Sequence, residues 1–424
     1  MASVHANEQL LFSILLQLIV MIGAARLMNS AFRAIGQPGV IGEIIAGLLL
    51  GPSLFGHLFP GASLALFGAK ASQPITMLSQ IGLILLMFQI GADFEFGHLR
   101  EARAKRAVGL IAIGSIAVPF ALGLWLGFAS AASIAPGIDP LTYSLFCGVA
   151  LAITAVPILG RILREFELTR TPIGVVAISA AAINDVVGWV MLACISAYAT
   201  SAFSGAFLFW RLLAIAALLV GMRFLGAPLV DRLLRRYPLV DGHIPANLMA
   251  ITFCIMFALA IATFQIGIFA IFGGFAAGLL FHRHPAFVEA WHRQVGHFTL
   301  VFFLPVFFTF TGLRTNLLGL TANDLGWLVL VLAAAIGGKI VPVFFASRAA
   351  GFDRHESSIL ASLMNTRALM ELIVLNIGYD LGFLPQSMFT MLVVMAVVTT
   401  LMTGPLLRGL LPRVGHVVLR AVEA

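Results

Sequence analysis

AAAINDVVGWVML, residues 180–192, sets Asn184 and Asp185 side by side inside an apolar stretch that runs from Thr171 to about Thr200. A stretch of that length crosses a bilayer as one helix. A carboxylate at the centre of such a span costs roughly 2.5–3.5 kcal/mol by insertion scales and more by simulation. A chain that keeps one there uses its charge, so Asp185 is expected to bind an ion or a proton within the membrane. A carboxylate is a hard oxygen ligand, suited to Na⁺ or K⁺ once these are partly dehydrated. Asn184 can add a carbonyl oxygen or hold neighbouring backbone. The plainer reading of the pair is a polar contact that locks two helices together.

The rest of the 424 residues agree with a membrane setting. The chain is 61% hydrophobic and 10% charged, and long apolar runs recur from end to end. It therefore reads as an all-α polytopic membrane protein. Cys147, Cys194 and Cys254 lie far apart in apolar spans, without metal-ligand spacing, and read as small buried apolar residues. The opening MASVHANEQ is too polar and too poor in basic residues for a signal peptide, so the first span is expected to be retained.

About thirteen transmembrane helices are expected, at 9–28, 37–55, 74–94, 107–130, 142–163, 171–200, 207–225, 244–263, 266–282, 295–314, 325–347, 356–379 and 387–411. Cytoplasmic loops are enriched in Lys and Arg. With the N-terminus outside and the C-terminus cytoplasmic, twenty of the 25 Lys and Arg residues fall inside. Lys70, Arg211 and Arg314 fall outside, while Lys339 and Arg367 lie within spans. The net charge of +7 is thus explained by the membrane, and nucleic acid is not expected as a partner.

An internal repeat is also visible. GEIIAGLLLG (42–51) resembles GGFAAGLLFH (273–282), and LLMFQIGADFEFGHL (85–99) resembles FFTFTGLRTNLLGL (307–320). Each pair is seven spans apart, and an odd offset reverses direction. The chain is therefore expected to be one transmembrane domain, 1–424, of two inverted six-helix repeats, about 9–200 and 244–411. The helix at about 207–225 links them. Such repeats build many secondary transporters, with the site at the midplane.

The repeat pairs span five with span twelve, and both carry helix-breaking sequence. Span five reads ALAITAVPILGRIL (150–163), where Pro157 lacks an N–H and Ile153, Thr154 and Val156 are β-branched. Span twelve reads SLMNTRALMEL (362–372), with Asn365, Thr366 and Arg367 together in apolar surroundings. Irregular backbone at membrane depth is tolerated where it is buried or lines a cavity. Two broken helices crossing near the bilayer centre are expected, against the alternative of a simple kink and a polar helix contact.

Further candidates follow from charge. The Thr154 hydroxyl and the carbonyls freed at the break suit an ion, although a Thr bonding back to its own helix is common. Arg367 keeps its proton and needs negative charge beside it, which Glu371 at i+4, Asp185 or an exposed helix C-terminus can supply. Glu43 lines an access funnel or faces a neighbouring helix. Lys339, in GGKIVP, either contributes to site electrostatics or snorkels to the cytoplasmic surface. All ten histidines lie in loops or near span ends, so no intramembrane zinc or His-based centre is visible, and no P-loop supports an ATP-driven pump. No cofactor and no enzymatic activity are expected, and the short segment after span thirteen argues against an attached nucleotide-binding domain.

With these residues in hand, the chain resembles the monovalent cation:proton antiporters of the Kef-type and plant cation/proton-exchanger superfamily, which are sodium/hydrogen exchanger-like. The resemblance is carried by GQPGVIGEIIAGLLLGPSLFG (36–56), GLILLMFQIGADFE (82–95), ITAVPILGRIL (153–163), AAINDVVGW (181–189) and MNTRALMELIVLNIGYDLG (364–382). It implies thirteen helices, a homodimer, a mobile core domain, and a dimerisation domain containing span two. It implies crossed broken helices five and twelve, with Asp185 carrying the cation or proton and Thr154 beside it. Arg367 matches the basic residue of span twelve. Electrogenic relatives carry two adjacent acids in span six and a lysine in span ten. Here Asn184 precedes Asp185, and VFFLPVFFTFTG (301–312) has no lysine.

The expectation is a secondary active Na⁺ or K⁺/H⁺ antiporter, electroneutral at 1:1, with cation and proton competing for Asp185. A bacterial inner membrane is the expected location. A cation channel or uniporter using the same site is the first alternative. A membrane-embedded enzyme and an organic-acid symporter are more distant ones.

Overall fold

The computed structural model describes residues 2–93, 102–154, 156–168, 171–200, 205–266, 269–367 and 369–414. Among them every regular element is helical. No strand forms, and one isolated bridge pairs Val240 with His243. The helices are α1 (Ala2–Ala34), α2 (Gly39–Leu50), α3 (Phe55–Leu58), α4 (Pro60–Phe67), α5 (Ala69–Ala92), α6 (Ala102–Ile134), α7 (Pro140–Ala152), α8 (Val156–Glu165), α9 (Pro172–Thr200) and α10 (Gly205–Gly221). They continue as α11 (Ala227–Arg236), α12 (Ala246–Gln265), α13 (Ala270–Phe281), α14 (Pro285–Trp291), α15 (Leu304–Leu313), α16 (Ala322–Ala349), α17 (Arg354–Met364), α18 (Leu369–Asp380) and α19 (Gln386–Leu410). Five-residue π-helical turns lie at Met222–Gly226, His292–Gly296 and Thr299–Phe303.

Each apolar segment read from the sequence falls on a helix or a helix pair. Among the described residues, nine helices are long and apolar enough to cross a membrane, or ten when the pair Pro285–Gly296 and Thr299–Leu313, bent by 44°, counts as one span. Pro140–Ala152 and Ala270–Phe281 are apolar but shorter. Segments 142–163 and 356–379 are each interrupted: α7 ends at Ala152 and α8 begins at Val156, and α17 ends at Met364 and α18 begins at Leu369.

Helix starts follow local chemistry. Asp139 caps α7, accepting from the backbone N–H and hydroxyl of Thr142 at 2.8 and 2.7 Å, with Pro140 in the first turn. The Thr142 hydroxyl first, then its N–H, holds the Asp139 carboxyl below its usual value of 3.8. Thr321 with Asp324, and Asp353 with Glu356, form capping boxes at α16 and α17.

Contacts divide the chain into two compact units, and each draws on both proposed repeats. One holds Met1–Gly23, Leu64–Glu95 and Ser196–Phe310. Its α5 and α13 approach so closely that a Cβ at Gly278 would lie 2.0 Å from the Phe88 carbonyl oxygen, as small residues allow between membrane helices. The other holds Ala24–Ser63, Phe96–Ile195 and Thr311–Ala424. It contains both interrupted helix pairs, α16 and the middle of α9, and it also includes α2. Of the cysteines, Cys147 is buried, Cys194 is half-buried, and Cys254 is exposed on α12, so the expectation of three buried thiols holds for one.

Candidate ion-binding site

Asp185 and Asn184 lie near the middle of the 29-residue α9 and are 2% and 1% exposed. Asp185 Oδ2 accepts the Val156 backbone N–H at 3.3 Å. Val156 opens α8, so the carboxylate meets one of the N–H groups that a helix start leaves without an intrahelical partner. Asp185 Oδ1 has no hydrogen-bond donor from the protein. Asn184 gives its amide N–H groups to Ser115 Oγ at 2.8 Å and Thr154 Oγ1 at 3.2 Å, and its Oδ1 is also without a donor. Adjacent residues thus present two buried oxygens with unused acceptor capacity.

The interruption between α7 and α8 supplies the next groups. Ile153 turns to extended backbone, φ −70° and ψ 145°, which ends α7. Residue 157 falls in the first turn of α8, where the N–H that proline lacks is not needed; its side chain is outside the described residues. The Thr154 hydroxyl lies between, fully buried. It faces the Met364 carbonyl at 3.3 Å and accepts from Asn184 and Lys339. One donor and two acceptor positions are all a hydroxyl has, so Thr154 is saturated in this conformation.

Lys339 comes from α16 and is fully buried, so it does not snorkel. Its ammonium donates to the Ser115 carbonyl at 2.7 Å, the Ala152 carbonyl at 2.5 Å and Thr154 Oγ1 at 2.7 Å. All three of its protons are used. Ala152 is the last residue of α7, so the charge sits where helix carbonyls are exposed and a cation is favoured. Span ten has no lysine, yet α16, span eleven, brings one to Thr154 all the same.

Arg367, in the second interruption, is equally buried. Its NH1 donates to the Ala150 carbonyl of α7 at 3.0 Å and its NH2 to the Ala335 carbonyl of α16 at 3.2 Å. Glu371 Oε2 is 3.9 Å from NH1, beyond hydrogen-bond reach, and neither Glu371 oxygen receives a hydrogen bond. The backbone freed at the break goes to α19: the Arg367 N–H donates to Thr400 Oγ1 at 3.2 Å, and that hydroxyl lies 2.8 Å from the Arg367 carbonyl. Thr366 pairs with Thr403 at 3.3 Å. Asn365, wholly buried, has no hydrogen bond to either side-chain amide atom.

Asp185, Asn184, Thr154 and Lys339 are thus linked through shared contacts, with Arg367 on the same helix end and Glu371 one turn further along α18. Glu43 is placed elsewhere: it is buried on α2 and accepts from Asn29 Nδ2 of α1 at 2.5 Å. Ser115, which supplies a hydroxyl to Asn184 and a carbonyl to Lys339, escaped the sequence reading. A single serine in the apolar run LIAIGSIAVP (110–119) carries no spacing signal of its own. Among the described residues no group of three or more His, Cys, Asp or Glu is placed to hold a metal ion.

This arrangement lies within a family-wide match. The family described as sodium/hydrogen exchanger, transmembrane, matches residues 18–412. The chain belongs to the sodium/hydrogen exchanger family. It is an integral membrane protein, and its family is one of transporters rather than enzymes. This exchanger is similar to the Na⁺/H⁺ antiporter NhaS4 of Synechocystis sp., at 38% identity over 411 residues, covering 96% of this chain and 99% of the relative. Cation/H⁺ antiporter 18 of Arabidopsis thaliana is 37% identical over 396 residues, covering 92% of this chain. The exchanger spans about half the length of that plant relative, 48%. The Na⁺/H⁺-K⁺ antiporter GerN of Bacillus cereus is 27% identical over 399 residues, covering 94% and 96%. Among solved structures, the sodium proton antiporter MjNhaP1 of Methanocaldococcus jannaschii shares the fold, with TM-score 0.63 at 16% identity, over 95% of this chain and 97% of that one.

Proposed function

We propose that this exchanger trades Na⁺ or K⁺ for H⁺ by alternating access, with cation and proton excluding one another at Asp185. The observation that carries the reading is a carboxylate buried mid-span with one oxygen unpaired, flanked by Asn184 Oδ1 and by two interrupted helices. The names of the similar proteins, Na⁺/H⁺ and Na⁺/H⁺-K⁺ antiporters, support the same substrates.

The Lys339 ammonium holds Thr154 and the Ala152 carbonyl, two oxygens of the kind an alkali cation binds. An incoming ion at Asp185 takes over these oxygens as the ammonium withdraws. Charge balance supports 1:1 exchange. With Lys339, Arg367, Asp185 and Glu371 ionised, the cluster is neutral. One bound cation or one proton each adds a single positive charge, so both loaded forms cross with the same charge. The thirteen-span topology is part of the proposal: repeats 9–200 and 244–411, linker 207–225, helices five and twelve crossing at their interruptions, N-terminus outside and C-terminus inside. A homodimer in a bacterial inner membrane is the setting proposed.

Purified protein in liposomes with a trapped pH dye tests this. Na⁺, K⁺ or Li⁺ is added with the membrane potential free or clamped. Cation-evoked proton flux that ignores the potential and vanishes in Asp185→Asn is expected, and the responding ion is the substrate. Cation flux without proton flux points to a channel or uniporter instead, and exchange that survives in Asp185→Asn sinks the assignment of the site.

A further inference from the structure

Two carboxyl groups are buried in this cluster, and the protein treats them differently. Asp185 receives a backbone N–H at the start of α8. Glu371 receives no hydrogen bond at either oxygen, although it is 0% exposed. Its counter-ion is loosely engaged: Arg367 spends NH1 and NH2 on the Ala150 and Ala335 carbonyls, and the nearest approach to the carboxyl is 3.9 Å. A buried carboxylate needs donors to offset its lost hydration, whereas the neutral acid needs far less. Where two titratable groups meet unlike environments, their protonation separates into distinct roles.

Other titratable and charged groups lie around Glu371. The charges acting on it are those of Arg367 and Lys339. α18 packs on α7 and α19. α7 offers Tyr143, whose hydroxyl pairs with Ser130 at 2.9 Å, and Cys147. α19 offers threonines, and its Arg408 is bound to the Gly36 carbonyl at 2.7 Å. Among the described residues, Asp185 and Glu371 are the carboxyls acting on Lys339, and Glu371 also acts on Arg367.

We infer that Glu371 is a second proton-binding group, which sets the affinity of the site for its cation without ligating that cation. When Glu371 holds a proton, Lys339 and Arg367 face Asp185 alone and the cluster is one charge more positive. An arriving cation is then opposed by field as well as by proton competition at Asp185. Acid thus closes the site through two protons rather than one. This rests on the Asp185 exchange reading above and adds a role that reading does not require.

The test is the pH dependence of the cation KM in proteoliposomes for the wild type, Glu371→Gln and Glu371→Asp. A second proton that weakens cation binding about tenfold makes the wild-type KM rise up to about 30-fold per pH unit where Glu371 titrates, against about tenfold for one proton. Glu371→Gln fixes the neutral form: its dependence is expected to fall to about tenfold per unit, with an alkaline KM about tenfold above wild type. Glu371→Asp is expected to keep the steep dependence. A first-power wild type, or a Gln variant that keeps both the steep dependence and the wild-type alkaline KM, overturns the inference, the second outcome passing the extra proton to Lys339. Should Glu371→Gln fail to fold, cation-dependent thermal shifts of wild type and Glu371→Asp across pH give the same slopes in detergent, and a first-power wild type again overturns it. None of these outcomes touches the Asp185 reading, which fails only if Asp185→Asn still exchanges.

Discussion

Lys339 Nζ lies 2.7 Å from Thr154 Oγ1 across 185 positions of sequence, and the contact joins α16 to the interruption between α7 and α8. The same ammonium holds the Ser115 and Ala152 carbonyls. Removing it takes this donor from the Ser115 and Ala152 carbonyls, leaves Thr154 Oγ1 with Asn184 as its donor, and subtracts a positive charge from the cluster. Lys339→Met is expected to cost about 3–5 kcal/mol of stability, the range for breaking a buried charged network at one partner. It is also expected to tighten cation binding about tenfold, because the ion no longer displaces an ammonium. Thermal unfolding and cation KM, measured together, check both signs. A stable variant with unchanged KM removes Lys339 from the site.

Thr154→Val keeps the shape of the side chain and deletes its hydroxyl. The Met364 carbonyl, Asn184 and Lys339 each lose one partner. A loss of about 1–3 kcal/mol is expected from the groups left unsatisfied, with a cation KM raised about tenfold. Thr154→Ser restores the oxygen and is expected to recover most of both. Recovery of stability without KM separates a structural hydroxyl from an ion ligand.

The helical architecture and the buried, mid-helix position of Asp185 were legible in the sequence because both are set by local cost. An apolar run either can or cannot cross a bilayer, and Asp185 is expensive in one wherever its neighbours lie. Pro157 and the trio Asn365–Arg367 marked the interruptions for the same local reason. Lys339 was ambiguous, because distance from the span end decides snorkelling only when nothing within reach binds the ammonium. Ser115 was invisible, since its partners Asn184 and Lys339 are 69 and 224 positions away. Glu43 was open between an access funnel and a helix contact, and the structure places Asn29 of α1 beside it.

Glu43→Gln tests that last distinction. The variant keeps an oxygen for Asn29 and removes the charge. Since Glu43 sits with α1 rather than with Asp185, the cation KM is expected to stay within about twofold of wild type, and any effect falls on stability, at about 1 kcal/mol. A KM rise of tenfold or more, shrinking as ionic strength rises, identifies Glu43 as part of an access path that attracts cations by its field.

Asp139 offers a pH test outside the membrane spans. Its carboxyl is held low in the folded protein by the Thr142 hydroxyl and N–H. A depressed folded value means the cap stabilises the protein above the ordinary carboxylate value of 3.8, and the contribution is lost as pH falls through the folded value. Asp139→Ala is expected to cost about 1 kcal/mol at pH 7. The gap between wild type and variant in melting temperature is expected to close below pH 3.8. A gap that persists there assigns the effect to helix propensity instead.

Gly278 tests how tightly the unit holding α5 and α13 is packed. Its missing Cβ would fall 2.0 Å from the Phe88 carbonyl oxygen and 2.7 Å from the Ala92 nitrogen. Both are backbone atoms of α5, so no side chain can rotate aside and one helix must move. Gly278→Ala is therefore expected to destabilise by about 1–3 kcal/mol, the cost of overpacking a close contact. Gly109→Ala in α6 is the matched control, because a Cβ there meets nothing within 4 Å. There the better helix former is expected to be neutral or to gain up to about 1 kcal/mol. Thermal unfolding of the two variants in detergent compares them directly: opposite signs support close helix approach at Gly278, and equal shifts mean that α5 and α13 separate at little cost.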